Sequence, residues 1–135
     1  MTNWVAGLAL GMVLAFPCVA LAKKFPMTAD TSVPAARGQV DVGRDKNGNT
    51  KVQVEVEHLA MPENLTPPRA VYVVWFQERG SEALSQGALK PDKKLKAKFK
   101  GVTPMKSFDI LVTAESDAMV KVPSGPEVLR ASVQP

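Results

Sequence analysis

The sequence predicts an all-β domain, an immunoglobulin-like antiparallel β-sandwich of about seven strands. Three observations predict it. Apolar residues recur at every second position in one short segment after another. Turn-forming residues fall between those segments. Past residue 22, no stretch repeats an apolar side chain every three to four residues, as an amphipathic helix would. A chain of 135 residues, 45% hydrophobic and 22% charged, has the size and composition of one globular domain rather than of a disordered segment.

Residues 4–22, WVAGLALGMVLAFPCVALA, carry no charge. Leu8 to Phe16 suits the apolar core of a signal peptide. Pro17 breaks the run, and Ala20 and Ala22 are the small residues a cut before Lys23 requires. Residues 1–22 are therefore expected to be a signal peptide, and the remainder to be periplasmic or secreted. No Lys or Arg precedes the run, whereas Lys23 and Lys24 follow it. If the run is kept as a membrane anchor instead, those charges favour a cytoplasmic C-terminal side. Pro17 is a poor residue to precede a lipid-bearing cysteine at Cys18. Once residues 1–22 are removed the chain has no cysteine, which excludes disulfides and thiolate chemistry.

Residues 23–36, KKFPMTADTSVPAA, are expected to form a flexible lead-in to a domain over 37–135. GQVDVG (38–43) alternates with Val40 and Val42 on one face. Asn47-Gly48 tolerates positive φ, so DKNGN (45–49) is a hairpin turn. KVQVEVEHL (51–59) returns with Val52, Val54 and Val56 inward and Lys51, Gln53, Glu55 and Glu57 outward. MPENLTPP (61–68) is a loop. RAVYVVWFQE (69–78) is apolar on both faces, as in a strand covered on both sides. RGSE (79–82) turns, ALSQGAL (83–89) is a weak strand broken by Gly87, and KPDK (90–93) turns again. KLKAKFK (94–100) reads as the fifth strand, with Leu95, Ala97 and Phe99 inward. SFDILVTAE (107–115) follows, then the long loop SDAMVKVPSGP (116–126) and a last strand, EVLRASV (127–133). The expected inner layer is Val52, Val54, Val56, Tyr72, Val74, Leu95, Phe99, Phe108, Ile110, Val112 and Leu129, with Trp75 near a rim.

Four segments of the second half resemble the extracytoplasmic domain of anti-sigma-K factor proteins. They are Tyr72-Val-Val-Trp75, Ser85-Gln86-Gly87-Ala88-Leu89, Phe108 to Glu115, and Pro123-Ser124-Gly125-Pro126, across about residues 69–133. The resemblance implies a β-sandwich with an extracytoplasmic, bacterial address. It does not imply inhibition of a sigma factor, because no sigma-binding helical domain precedes these segments in the sequence.

Candidate chemistry is sparse. His58 is the single histidine, too few for a copper or zinc site. Ser81, Ser85, Ser107 and Ser124 have no histidine-based triad, and no glycine-rich phosphate loop is present. DKNGN lacks the spacing and closing Glu of a calcium loop. The expectation is a non-enzymatic domain with no cofactor and no metal.

The lysines are the exception. Residues 90–106 hold seven lysines against one acid, Asp92, a local charge of +6 in a chain of net +4. Lys93, Lys94, Lys96, Lys98 and Lys100 are the candidate contact for an anionic envelope component: lipid headgroups, lipopolysaccharide or an acidic glycan. Nucleic acid is disfavoured, because Phe99 shares the inward parity of Leu95 and Ala97 and offers no stacking surface. The competing reading is that lysines on an exposed edge strand only block edge-to-edge pairing. The expected function is an exported domain that binds or packs against an envelope component or protein partner. The alternative is a membrane-anchored regulatory domain akin to the sensor half of an anti-sigma factor, with membrane contact only if residues 4–22 are retained.

Overall fold

The computed structural model describes residues 23–135; the expected signal peptide, with Cys18, lies outside the described residues. Two antiparallel sheets pack face to face. One has the order β1 (Lys23–Pro26), β3 (Arg37–Arg44), β4 (Thr50–Glu57), β7 (Ala97–Thr103). The other has the order β2 (Thr28–Ala29), β9 (Glu127–Val133), β8 (Phe108–Glu115), β5 (Val71–Gln77), β6 (Leu84–Leu89). The expected all-β sandwich is present.

The strands follow from the alternation. Val52, Val54 and Val56 of β4 are buried, and the residues between them face outward. From the facing sheet come Tyr72, Val74 and Phe76 of β5, Phe108, Ile110 and Val112 of β8, and Leu129, Ala131 and Val133 of β9. Each large side chain in this layer contributes roughly 1.5–3 kcal/mol relative to leaving it in water. Phe76 lies between Phe99 and Phe108, with ring centroids 6.1 and 5.1 Å away. Gly101 makes room for the Phe99 ring, which stands 3.0 Å from where a Cβ would be.

Four expectations need correction. Residues 23–36 do not merely lead in. Phe25 pairs with Val40 in one sheet, Ala29 with Leu129 in the other, and Met27, Val33 and Ala36 are buried in the core. Two strands are thereby added, giving nine among the described residues. The fifth expected strand starts at Ala97 rather than Lys94. Leu95 therefore leaves the inner layer for a turn, while Phe99 packs against the core partly buried. Trp75 is not at the rim of the inner layer. It is fully buried on the opposite face of its sheet, with Val71, Val73 and Leu111, where Ala83 and Val120 pack against it.

The pairing registers define two ends. Lys23, the 45–49 hairpin and the 78–83 and 104–107 connections lie at one, here the hairpin end. Segments 30–36, 58–70, 90–96 and 116–126 lie at the other, the loop end. Val33, Leu59 and Leu65 close the core there, and the Tyr72 hydroxyl donates to the Ala60 carbonyl at 2.6 Å. Burial pushes that hydroxyl's pKa up to about 12, with a contribution from Glu63.

Candidate functional site

The lysine-rich region has two structurally different parts. Residues 92–96, DKKLK, form a turn organised by Asp92. Its Oδ1 accepts the Lys94 N–H at 2.8 Å and the Lys96 N–H at 3.0 Å. The Asp92 N–H donates to the Lys96 carbonyl, and the Leu95 N–H to the Asp92 carbonyl. Of the two bonds to the carboxylate, that from the Lys96 N–H lowers its pKa most; the Lys94 bond and the two lysine charges add to it. Leu95 sits at φ 62°, a left-handed conformation unusual for a branched side chain. Its carbonyl accepts the Leu59 N–H, which ties the turn to the end of β4.

The second part is β7, an edge strand. Among the candidate lysines, Lys98 and Lys100 project from its outer face, opposite Glu55 and Gln53. Lys98 lies 3.9 Å from Glu55, an exposed ion pair that contributes little to stability. Lys93, Lys94 and Lys96 are exposed and make no ion pair among the described residues. The five candidates therefore do not form one strand ladder: two stand on an edge strand and three on a turn at the loop end. Lys106, at the other end, is engaged by the Gly48 carbonyl.

A second feature of the loop end was not legible as a site. Glu115, at the end of β8, is buried. Its Oε2 accepts from the Thr113 hydroxyl at 2.6 Å, and Thr113 Oγ1 accepts from the Trp75 indole N–H at 2.7 Å. The Ser124 and Gly125 N–H groups donate to the same carboxyl group at 3.0–3.1 Å. These bonds satisfy a group whose burial would otherwise be costly. They also fix segment 116–126 over Trp75. A Cβ at Gly125 would collide with the Ala114 carbonyl oxygen, so only glycine fits there. Beyond this base the loop leaves Met119 81% and Val122 57% exposed, with Lys121 between them. The Asp117 side chain turns back to accept the Met119 N–H. Three of the four segments that carried the sequence resemblance meet here, through Trp75, through Thr113 and Glu115, and through Ser124-Gly125.

The remaining candidates are dispersed. His58 is exposed at the end of β4. Asp45 caps the 45–49 hairpin through the N–H groups of Asn47 and Asn49, at 2.9 and 2.8 Å. A cleft of about 650 Å3 at the hairpin end is lined by Arg79, Ser107, Asp109 and Ser132 among others. Its Asp109 is already bound by Arg130 at 2.6 Å and by the Ser132 hydroxyl at 2.8 Å. Among the described residues, no group of three or more His, Cys, Asp or Glu side chains could hold a metal ion. No described helix is long and apolar enough to cross a membrane.

No family model and no curated protein matches the chain.

Proposed function

We propose that this chain is an exported, non-enzymatic β-sandwich that binds an anionic component of the cell envelope through its lysine-rich turn. One observation carries the reading: Lys93, Lys94 and Lys96 stand on a turn, not on the edge strand. Blocking of edge pairing accounts for lysines along an open strand. It accounts for Lys98 and Lys100 and leaves the other three unexplained. The turn itself does not require lysine, because its bonds come from the Asp92 carboxyl and backbone groups. Export rests on residues 1–22, whose charge-free run ends in Ala20-Leu21-Ala22.

The test is retention on immobilised heparin and on anionic vesicles, measured against salt. Each lysine near an anionic surface contributes roughly 1 kcal/mol, so changing Lys93, Lys94 and Lys96 together to Gln should weaken retention about a hundredfold. Retention of the parent should also fall steeply with salt, since exposed charges are screened within about 8 Å at physiological ionic strength. A parent that binds neither matrix, or a triple variant that binds as the parent does, overturns the reading.

A second reading is a membrane-anchored regulatory domain related to the sensor half of an anti-sigma factor. The meeting of Trp75, Thr113, Glu115 and Gly125 in one buried network favours it, because these residues belong to the segments that resemble that family. It requires residues 4–22 to persist. Recovery of the protein from the membrane fraction with residues 1–22 intact would support it; an N-terminus at Lys23 would refute it.

A further inference from the structure

We infer that the loop end docks on an anionic lipid surface, with Met119 and Val122 entering the headgroup layer and Lys93, Lys94, Lys96 and Lys121 meeting the acidic lipid. The inference rests on the lysine reading above and adds the apolar half of the contact.

An exposed apolar side chain is ordinary when it stands alone on a surface. These two do not stand alone. Of the four large hydrophobic side chains most exposed among the described residues, Met119 and Val122 share one loop, while Leu84 and Val102 stand on separate strands. The loop that carries them is held at its base. Glu115 accepts the Ser124 and Gly125 N–H groups, the Ala114 N–H donates to the Pro126 carbonyl, and Val120 is anchored against the cluster around Trp75. The tip is thus presented without ordering a long flexible segment on contact, which lowers the entropic cost of binding.

The second observation is position. The registers place the 92–96 turn and the 116–126 loop at the same end of the sandwich. Apolar side chains at the same end as lysines that make no ion pair among the described residues match the two components of interfacial attachment, apolar insertion and attraction to acidic lipid. The acids within the two segments, Asp92 and Asp117, accept backbone N–H groups, while Asp30 and Glu63 are the exposed acids of the neighbouring loop-end segments. Lys23, where residues 1–22 join, lies at the hairpin end. A sandwich tethered through that end would present Met119 away from its own membrane, so this docking belongs to the processed chain.

The experiment compares the exported, processed protein with its Met119→Ser/Val122→Ser variant on two probes. One probe is phosphatidylcholine vesicles containing phosphatidylglycerol; the other is heparin, which has charge but no apolar layer. Both substituted positions are exposed, and an unchanged denaturant midpoint verifies the fold. The variant should lose about tenfold or more in vesicle binding, as burial of even part of two apolar side chains implies, and keep its heparin binding. Equal binding of parent and variant to vesicles overturns the inference and leaves the lysine reading standing. Equal losses on both probes also overturn it, since the loop would then act without regard to lipid. A parent that binds neither probe overturns the lysine reading together with the inference.

Discussion

The turns at 45–49 and 92–96 have the same backbone and different sequences. DKNGN and DKKLK each begin with an aspartate whose Oδ1 accepts the N–H of the third and fifth residues. In each, the first N–H donates to the fifth carbonyl and the fourth N–H to the first carbonyl. In each, the fourth residue is left-handed, Gly48 at φ 80° and Leu95 at φ 62°. The differences fall at the third, fourth and fifth positions, which enter these bonds through their backbone groups, whereas the second position is lysine in both turns. Asparagine occupies the third and fifth positions at the hairpin end, lysine at the loop end. The backbone thus needs the aspartate and little else, and its bonds do not set the side chains at 94 and 96.

The comparison presupposes one cooperative sandwich under both turns. Phe108 fills the aromatic cluster with Phe76. Its replacement by Ala should cost about 3–5 kcal/mol and shift the denaturant midpoint accordingly. An unchanged midpoint would show that the two turns do not share this core. The next largest effect is expected at Glu115, which secures the loop end alone. Glu115→Ala leaves buried donors unsatisfied and should cost about 1–3 kcal/mol. Amide exchange should accelerate from Ser116 to Gly125 while the 45–49 hairpin stays protected. Equal acceleration at both ends would break the claimed division.

A smaller effect distinguishes the two fourth residues. Gly48→Leu forces a side chain into a left-handed position and should cost about 1–2 kcal/mol. Leu95→Gly relieves that strain but surrenders partial burial and adds backbone freedom, so the net change should stay within about 1 kcal/mol of the parent. Equal costs at the two sites would mean that the turns are not equivalent. The smallest effect is electrostatic. Both aspartates have lowered pKa values, through backbone N–H bonds led by Asn49 in one and Lys96 in the other. Their stabilisation is present above the ordinary value of 3.8 and is lost as pH falls through the lower folded values. The Lys94, Lys96, Asn47 and Asn49 amide shifts should therefore titrate below 3.8; a midpoint at or above it contradicts the bonding.

These pairs also mark what was legible in the sequence. Asn47-Gly48 announces a turn because both residues accept positive φ. Leu95 conceals one, because KLKAKFK alternates as a strand does and a leucine at that parity reads as core. The central strands were legible wherever valines alternate, as in β4. The pairing of residues 23–29 was hidden by Pro26 and by the brevity of both strands. Trp75 and Glu115 were hidden for another reason. The doubly apolar β5 signalled a cover over its outer face, but nothing local identified segment 116–126 as that cover. An acid at Glu115 gives no sign of burial by itself. Its outward parity with Leu111 and Thr113 was the available hint that this face is not wet.

The turn at 92–96 is built by its aspartate, and the proposed function assigns its lysines to an anionic partner. The most direct measurement grafts one turn onto the other: Lys94→Asn, Leu95→Gly and Lys96→Asn convert DKKLK to DKNGN in place. The denaturant midpoint should correspond to a stability within about 1 kcal/mol of the parent, because the same backbone bonds form. Retention on anionic vesicles and heparin at physiological salt should fall by at least about tenfold, for the loss of two lysines near the surface. A graft that is stable and still retained as the parent is would contradict the account.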